Sequence, residues 1–227
     1  WIVAFCNLLI ENKLNITWQL PSGTRSEAID EEVAGLLYQS GCSHLSYAPE
    51  SGSMDILVMI KKKINLDLML TSMAGCVKQG LSVKANIICG FPKEKIKHLI
   101  ESLSFISRMA WIGCDDVSIN QFSPYPGTEL FEELIERKKL NLDSNYFKSL
   151  SYYSSMTHAK SFGDHLTTSQ ILWFKFLGTG LFYFIRFLCR PWRMVNVIRN
   201  VCINKETTRL EKTLISFKLR FFEQRSS

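Results

Sequence analysis

No two cysteines in this 227-residue chain stand at CxxC spacing, and none of its four histidines stands at HExxH or CxxH spacing. The seven cysteines (Cys6, Cys42, Cys76, Cys89, Cys114, Cys189 and Cys202) are odd in number and at least 13 residues apart. That pattern excludes a legible disulfide framework or zinc pair, and each cysteine reads as a small buried apolar residue. Also missing is a basic leader followed by an apolar core and a small-residue cleavage site, so nothing points to secretion and the cytoplasm is the expected compartment. Long uncharged runs are lacking where they would matter. In the most hydrophobic stretch, 171–189, the longest is ten residues, Phe176 to Ile185, between Lys175 and Arg186. A bilayer span needs about twenty. The first residue is Trp1 rather than Met, and residues 1–10 read as the tail of an amphipathic element already under way. The expectation is a fragment.

What is present is a chain 46% hydrophobic, enough for a substantial core, with a formal charge of +6 that is unevenly placed. Up to Leu166 there are 16 basic and 18 acidic residues; from Thr167 onward there are 11 basic and three acidic. Such a basic tail suits either an anionic partner or a solvated helix face.

The organising stretch is Leu45-Ser-Tyr-Ala-Pro-Glu50-Ser-Gly-Ser53, an alternating strand that ends in a carboxylate, two hydroxyls and a glycine. The loop leaving the C-terminal end of a parallel strand faces the ligand in α/β proteins, so a polar cluster there marks a candidate site. The competing reading is that Ser51 and Ser53 cap the next helix and Gly52 makes the turn.

Around it the periodicity gives four strand–loop–helix units over residues 14–138. Strands are expected at 14–20, 44–48, 81–89 and 115–122. Helices are expected after a capping pair Thr24/Glu27, at 54–62, at 66–79, after Pro92 with Ile96, Leu99, Ile100, Leu103 and Ile106 inward, and at 129–138. A unit of about 30 residues suits right-handed parallel crossovers. The expected fold class is α/β, the C-terminal portion of a partial TIM-type βα barrel. A helical extension follows: 1–140 is barrel, and 141–227 is an irregular aromatic connector plus basic helices. A small open sheet complete in itself is the alternative. Residues 171–193 form either a helix packed on the barrel or an interfacial helix in peripheral contact with a membrane through its aromatics and arginines.

Taken together, Leu20-Pro-Ser-Gly-Thr-Arg25, Tyr47-Ala-Pro-Glu50-Ser-Gly-Ser53, Ile60-Lys-Lys-Lys63, Asn86-Ile-Ile-Cys-Gly90-Phe-Pro92 with Glu94, and Phe122-Ser-Pro-Tyr125-Pro-Gly-Thr128 resemble the C-terminal half of a radical S-adenosylmethionine barrel. The resemblance is to the cobalamin-dependent branch. It implies an enzyme that cleaves S-adenosylmethionine to a 5′-deoxyadenosyl radical for methyl transfer, rearrangement or oxidative cyclisation on an unactivated carbon. It further implies a 4Fe-4S cluster and cobalamin held upstream of this chain, because the CxxxCxxC motif is absent. The implied partners are a small-molecule substrate, with an apolar one suiting the aromatic tail, and an electron donor such as flavodoxin or ferredoxin. No nucleic acid is expected.

Residue by residue, the resemblance implies that Glu50 accepts from the ribose hydroxyls beside Ser51, and that Lys62 offsets the cofactor carboxylate. Ile88 and Gly90 would lie against the adenine. The usual glycine after the proline is Lys93 here. Arg25, Gln121, Ser123 and Tyr125 are substrate-side candidates by their place at strand ends, though Arg25 suits a surface ion pair and the proline-rich loop a rigid connection equally well. Asp115 and Asp116 lie at the opposite end of their strand and read as stability residues. The alternative function is a clusterless barrel fragment acting as a binding module or membrane-associated scaffold.

Overall fold

The computed structural model describes residues 1–22 and 29–223, with no side chains described for 220–223. Arg25 and the Thr24/Glu27 capping pair therefore lie outside the described residues. Four strands, β1 (Trp18–Leu20), β2 (Cys42–Glu50), β3 (Ser82–Cys89) and β4 (Asp116–Gln121), pair in parallel in the order β1-β2-β3-β4. Spatial order equals chain order, and no strand returns to the other side of its predecessor. That is how βα units add up in a barrel, whereas a doubly wound sheet reverses direction part-way. The fold is a partial barrel followed by helices.

Helix α1 (Ile2–Glu11) precedes β1; α2 (Glu31–Gln39), α3 (Met54–Met59) with α4 (Leu66–Lys78), and α5 (Ile96–Ile112) make the crossovers. The caps explain where α2 and α4 begin. Asp30 accepts from Val33 N at 2.8 Å, and Asn65 accepts from Asp67 N and Leu68 N at 3.0 Å each. One expectation fails in β1: only Trp18–Leu20 is strand, and Leu14 and Ile16 are exposed. Another fails in α5, where Ile96 and Ile100 face solvent while Leu99, Phe105, Ile106 and Met109 are buried. The inward face is rotated because His98 and Ser102 occupy it, both buried and hydrogen-bonded. Both fall on the stripe of Leu99, Phe105 and Ile106, where an apolar count overlooks them.

The core lies between the sheet and these helices. Leu45, Tyr47, Val83, Ala85, Ile87, Cys89, Val117 and Ile119 from alternate strand positions pack there against Leu57, Met69, Met73 and Ile106. Gly52 belongs to this packing. A Cβ on it would lie 2.7 Å from Ser102 Cα and 2.9 Å from the Glu101 carbonyl oxygen, so the loop after β2 can rest on α5 only as glycine.

Beyond α6 (Glu129–Glu136), the connector is not wholly irregular. It contains α7 (Ser144–Leu150), capped by the Asp143 carboxylate on Tyr146 N at 2.8 Å, with Tyr146 buried and its hydroxyl donating to Pro124 O. Helix α8 (Thr168–Cys189) opens with the expected Thr167/Gln170 capping box and packs along α5 and β4. By length and composition alone α8 could cross a membrane, and 39% of its most apolar window is buried in the fold. Gly178 allows its approach to Ile119, and the wholly buried Lys175 donates to the carbonyls of Tyr153 and Ser155. Helices α9 (Trp192–Cys202) and α10 (Arg209–Glu223) complete the chain.

Asp115 and Asp116, at the start of β4, tie this extension down. Asp115 Oδ1 meets Arg193 at 3.0 Å and Arg186 at 3.4 Å. Asp116 accepts from the Tyr183 hydroxyl at 2.7 Å and from Arg209 N at 3.1 Å.

Candidate functional site

The strand positions that do not face the core face a cleft of about 740 Å3. Its floor is Ala48 and Glu50 of β2, Lys84, Asn86 and Ile88 of β3, and Ser118 and Asn120 of β4. Its far wall is the connector residues Tyr153 and Ser154 and the polar side of α10, where Arg209, Lys212 and Thr213 face the sheet. Period-2 alternation puts these floor residues on one face, and that face is the interior of a barrel.

Polar groups on the floor bond to one another. Asn86 Nδ2 donates to Ser46 Oγ at 3.0 Å, and Arg209 donates to Ser118 Oγ at 2.5 Å and to Ser154 O at 3.1 Å. Burial, followed by the Glu50 and Tyr125 charges, pushes the Tyr153 hydroxyl up, against a hydrogen bond to Asn120 that lowers it.

Glu50 stands at the C-terminal end of β2 with φ 65°, in the left-handed region that a non-glycine residue enters only at a cost. The β2–β3 register shifts between Tyr47 and Glu50, so the strand end is turned out of the regular ladder. Lys62 Nζ, returned by the turn after α3, meets Glu50 Oε1 at 2.9 Å, and both side chains are roughly a quarter exposed (30% and 21%). The strained backbone and the cation partner fix the position of this carboxylate at the cleft rim.

The other expected site residues are distributed differently. Ile88 lines the cleft beside Glu50. Ser51 is wholly buried and lies 3.3 Å from Ser102 Oγ of α5, accepting from Ser53 N at 3.1 Å; it holds the loop to α5 and does not line the cleft. Gly90 (φ 86°) lies against Ile171 of α8, which a Cβ would approach to 2.9 Å. Its N–H donates to Glu94 Oε2 at 2.5 Å. Gln121 is wholly buried and serves the connector, accepting from Lys160 N at 3.0 Å and donating to Ser149 O at 3.4 Å. Ser123 is buried beside Phe122 in a separate hollow with Lys61 and Lys93, and Tyr125 is half exposed on the adjoining loop.

The structure thus brings Glu50, Lys62 and Ile88 together and leaves Ser51, Gly90, Gln121, Ser123 and Tyr125 off the cleft lining. Sequence reading missed Lys84, Asn86, Ser118 and Asn120, although the polar alternates in 82–88 and 116–120 carried the signal. It had no means of placing Arg209 or Lys212 there.

Glu94 is a further residue whose setting is unusual. Its carboxyl is 1% exposed, Oε2 accepts from Gly90 N and Phe91 N, and Oε1 has no partner among the described residues. Burial pushes it up to about 7 against those two hydrogen bonds.

No protein-family model matches the sequence. An uncharacterized methyltransferase of Pyrococcus horikoshii is 29% identical over 161 residues, 70% of this chain and 32% of that protein. The cytidylyl-2-hydroxyethylphosphonate methyltransferase of Streptomyces wedmorensis is 26% identical over 143 residues, 60% of this chain and 26% of its own length. Among solved structures, a radical S-adenosylmethionine methyltransferase from Kitasatospora setae with cobalamin and a [4Fe-4S] cluster bound aligns over 60% of this chain and 27% of that one. Its TM-score is 0.49 and its sequence 14% identical. Over part of its length the chain is thus similar to methyltransferases, one of them a radical S-adenosylmethionine enzyme of known structure. It spans about a third or less of the length of the curated relatives it matches.

Two groups serve radical S-adenosylmethionine enzymes, and the described residues fit them unequally. For S-adenosylmethionine, the strained Glu50 carboxylate at the rim and the apolar edge of Ile88 within the cleft are the features a ribose and an adenine need. An iron–sulfur cluster finds no cradle here: among the described residues no group of three or more His, Cys, Asp or Glu could hold a metal. Cys6, Cys42, Cys76, Cys89 and Cys114 are buried. Desolvation raises the Cys42 thiol to about 11 and pushes those of Cys76, Cys89 and Cys114 up as well, so they stay protonated where a cluster needs thiolates.

Proposed function

We infer that the chain is the cofactor- and substrate-facing part of a radical S-adenosylmethionine enzyme acting by methyl transfer, rearrangement or oxidative cyclisation on an unactivated carbon. The cluster would be held by another part of the longer protein. In this reading 1–140 is the barrel portion and 141–227 its connector and covering extension. A small-molecule substrate and a reductant are its partners, and cobalamin fits the relatives that transfer methyl groups. Bound S-adenosylmethionine and a reduced cluster would supply a carbon-centred radical that no side chain can generate.

The observation that carries the reading is Glu50, held at a left-handed φ beside Lys62 on the rim of the cleft that spans the three long strands. Its carboxylate would accept from the two ribose hydroxyls, while Lys62, paired with it, holds it in place. The barrel-interior face of β2–β4 would orient the substrate, and α10 with Tyr153 would keep bulk water from the reacting carbon. Most residues of the cleft lining carry polar side chains, while polar and apolar surface there are about equal, so the lining by itself does not decide the polarity of the substrate.

The test is calorimetry of S-adenosylmethionine binding to the longer, cluster-loaded protein. Glu50→Ala is expected to weaken binding by about 1–3 kcal/mol, the cost of leaving polar partners unpaired. Unchanged affinity would remove Glu50 from the role, and no binding to the wild type would overturn the enzyme reading.

A further inference from the structure

Three cations line the cleft without a carboxylate partner. Lys84, Arg209 and Lys212 all face it, and none makes an ion pair with any described residue. Arg209 is fixed by neutral groups, its guanidinium donating to Ser118 Oγ and Ser154 O. The nearby acids are already engaged: Glu50 with Lys62, Asp116 with the Tyr183 hydroxyl and Arg209 N, and Glu211 with Asn200 and Thr207 on the other side of α10.

Gathering cations around one concavity costs mutual repulsion and, for the partly buried Lys84 and Arg209, desolvation; elsewhere in the extension that cost is offset by pairing, as Arg186 and Arg193 pair with Asp115. Here the offset is missing. A fixed guanidinium sharing one cleft with two lysines, one from the floor and one from the wall, is an arrangement that suits a phosphate or carboxylate group.

Resting on the enzyme reading above, we propose that the cleft takes an anionic substrate, one bearing a phosphate or carboxylate, and that Lys84, Arg209 and Lys212 determine this specificity. The anion sits between β3 and α10, away from the rim where Glu50 serves the cofactor. Helix α10 therefore supplies part of the substrate site, and the basic tail has a use beyond solubility.

The experiment is calorimetry on the longer protein with two probes, inorganic pyrophosphate and succinate, at low and high salt. The variants are Lys84→Gln/Lys212→Gln, which leaves the Arg209 anchors of α10 in place, and Lys148→Gln on exposed α7 as a control for general surface charge. At least one probe is expected to bind, at least tenfold more weakly in the double variant, and unchanged in the control; whichever binds names the anion class. Neither probe binding, or equal affinity in the double variant, overturns the proposal. S-adenosylmethionine affinity, measured on the same samples, is expected to stay within twofold in every variant. If wild type binds S-adenosylmethionine but neither probe, only the substrate class is wrong; if it fails to bind S-adenosylmethionine, the enzyme reading itself falls.

Discussion

One sheet shows two opposite faces. On the helix-covered face, Val83, Ala85, Ile87 and Cys89 of β3 are wholly buried. On the other, Ser82, Lys84, Asn86 and Ile88 of the same strand are partly exposed, and the last three look into the cleft. The first face resists change because its cost is desolvation and packing. The second keeps water and polar groups within reach of each other, and there the sequence is free to serve a ligand. Some charged groups cross that division: Lys175 is wholly buried, and Glu94 is a carboxyl on the dry side whose Oε1 has no partner among the described residues.

Breaking the packed face should have the largest effect. Ile87→Ala is expected to cost about 4 kcal/mol, transfer plus cavity, measured by denaturant unfolding of the protein. A loss below about 1 kcal/mol would show that this face is not the core.

The misplaced carboxyl sharpens the contrast next. Glu94 is raised from 4.5 to about 7 in the fold, so between these values the folded state holds a proton that the unfolded chain has lost. Stability should therefore fall as pH rises from about 4.5 to 7, by about 3 kcal/mol in all. Glu94→Gln should flatten that part of the pH–stability curve, and an unchanged slope in the variant would assign the effect to another group.

At the rim the sign should reverse. Glu50→Gly relieves a left-handed backbone and is expected to stabilise the fold by about 1 kcal/mol while weakening S-adenosylmethionine binding. Thermal unfolding and calorimetry of one sample would check both, and destabilisation would mean that the strain is not real.

The smallest effect belongs to the cleft floor. Asn86→Ala removes one hydrogen bond, to Ser46, in a place water can reach, and should cost about 0.5–1 kcal/mol. A loss as large as that of Ile87→Ala would abolish the distinction between the faces.

Much of this was legible in the chain. The four strands, the helices at 54, 66 and 129, the Thr167/Gln170 capping box and the motif ending in Glu50 all follow from local patterns of period, cap and turn. Strand β1 was overread because Leu14 and Ile16 alternate correctly yet find no neighbour to bury them. In α5 the polar His98 and Ser102 occupy the buried side, which an apolar count cannot foresee. Ser51 and Gly90 sit in the right motifs, but their neighbours are Ser102 and Ile171, each supplied by an element distant in sequence.

The sequence by itself determined the βα repeat, the parallel order it enforces and the carboxylate at the end of β2, because each is set within a few residues by alternation, capping and turn chemistry. Only the tertiary structure decided which strand face became the cleft, that α8 closes over Gly90, and that Arg209 and Lys212 line the same cleft as Lys84. Those placements bring together residues some 80 to 130 positions apart. They depend on how α8 and α10 pack against the sheet, and local periodicity carries no information about such long-range docking.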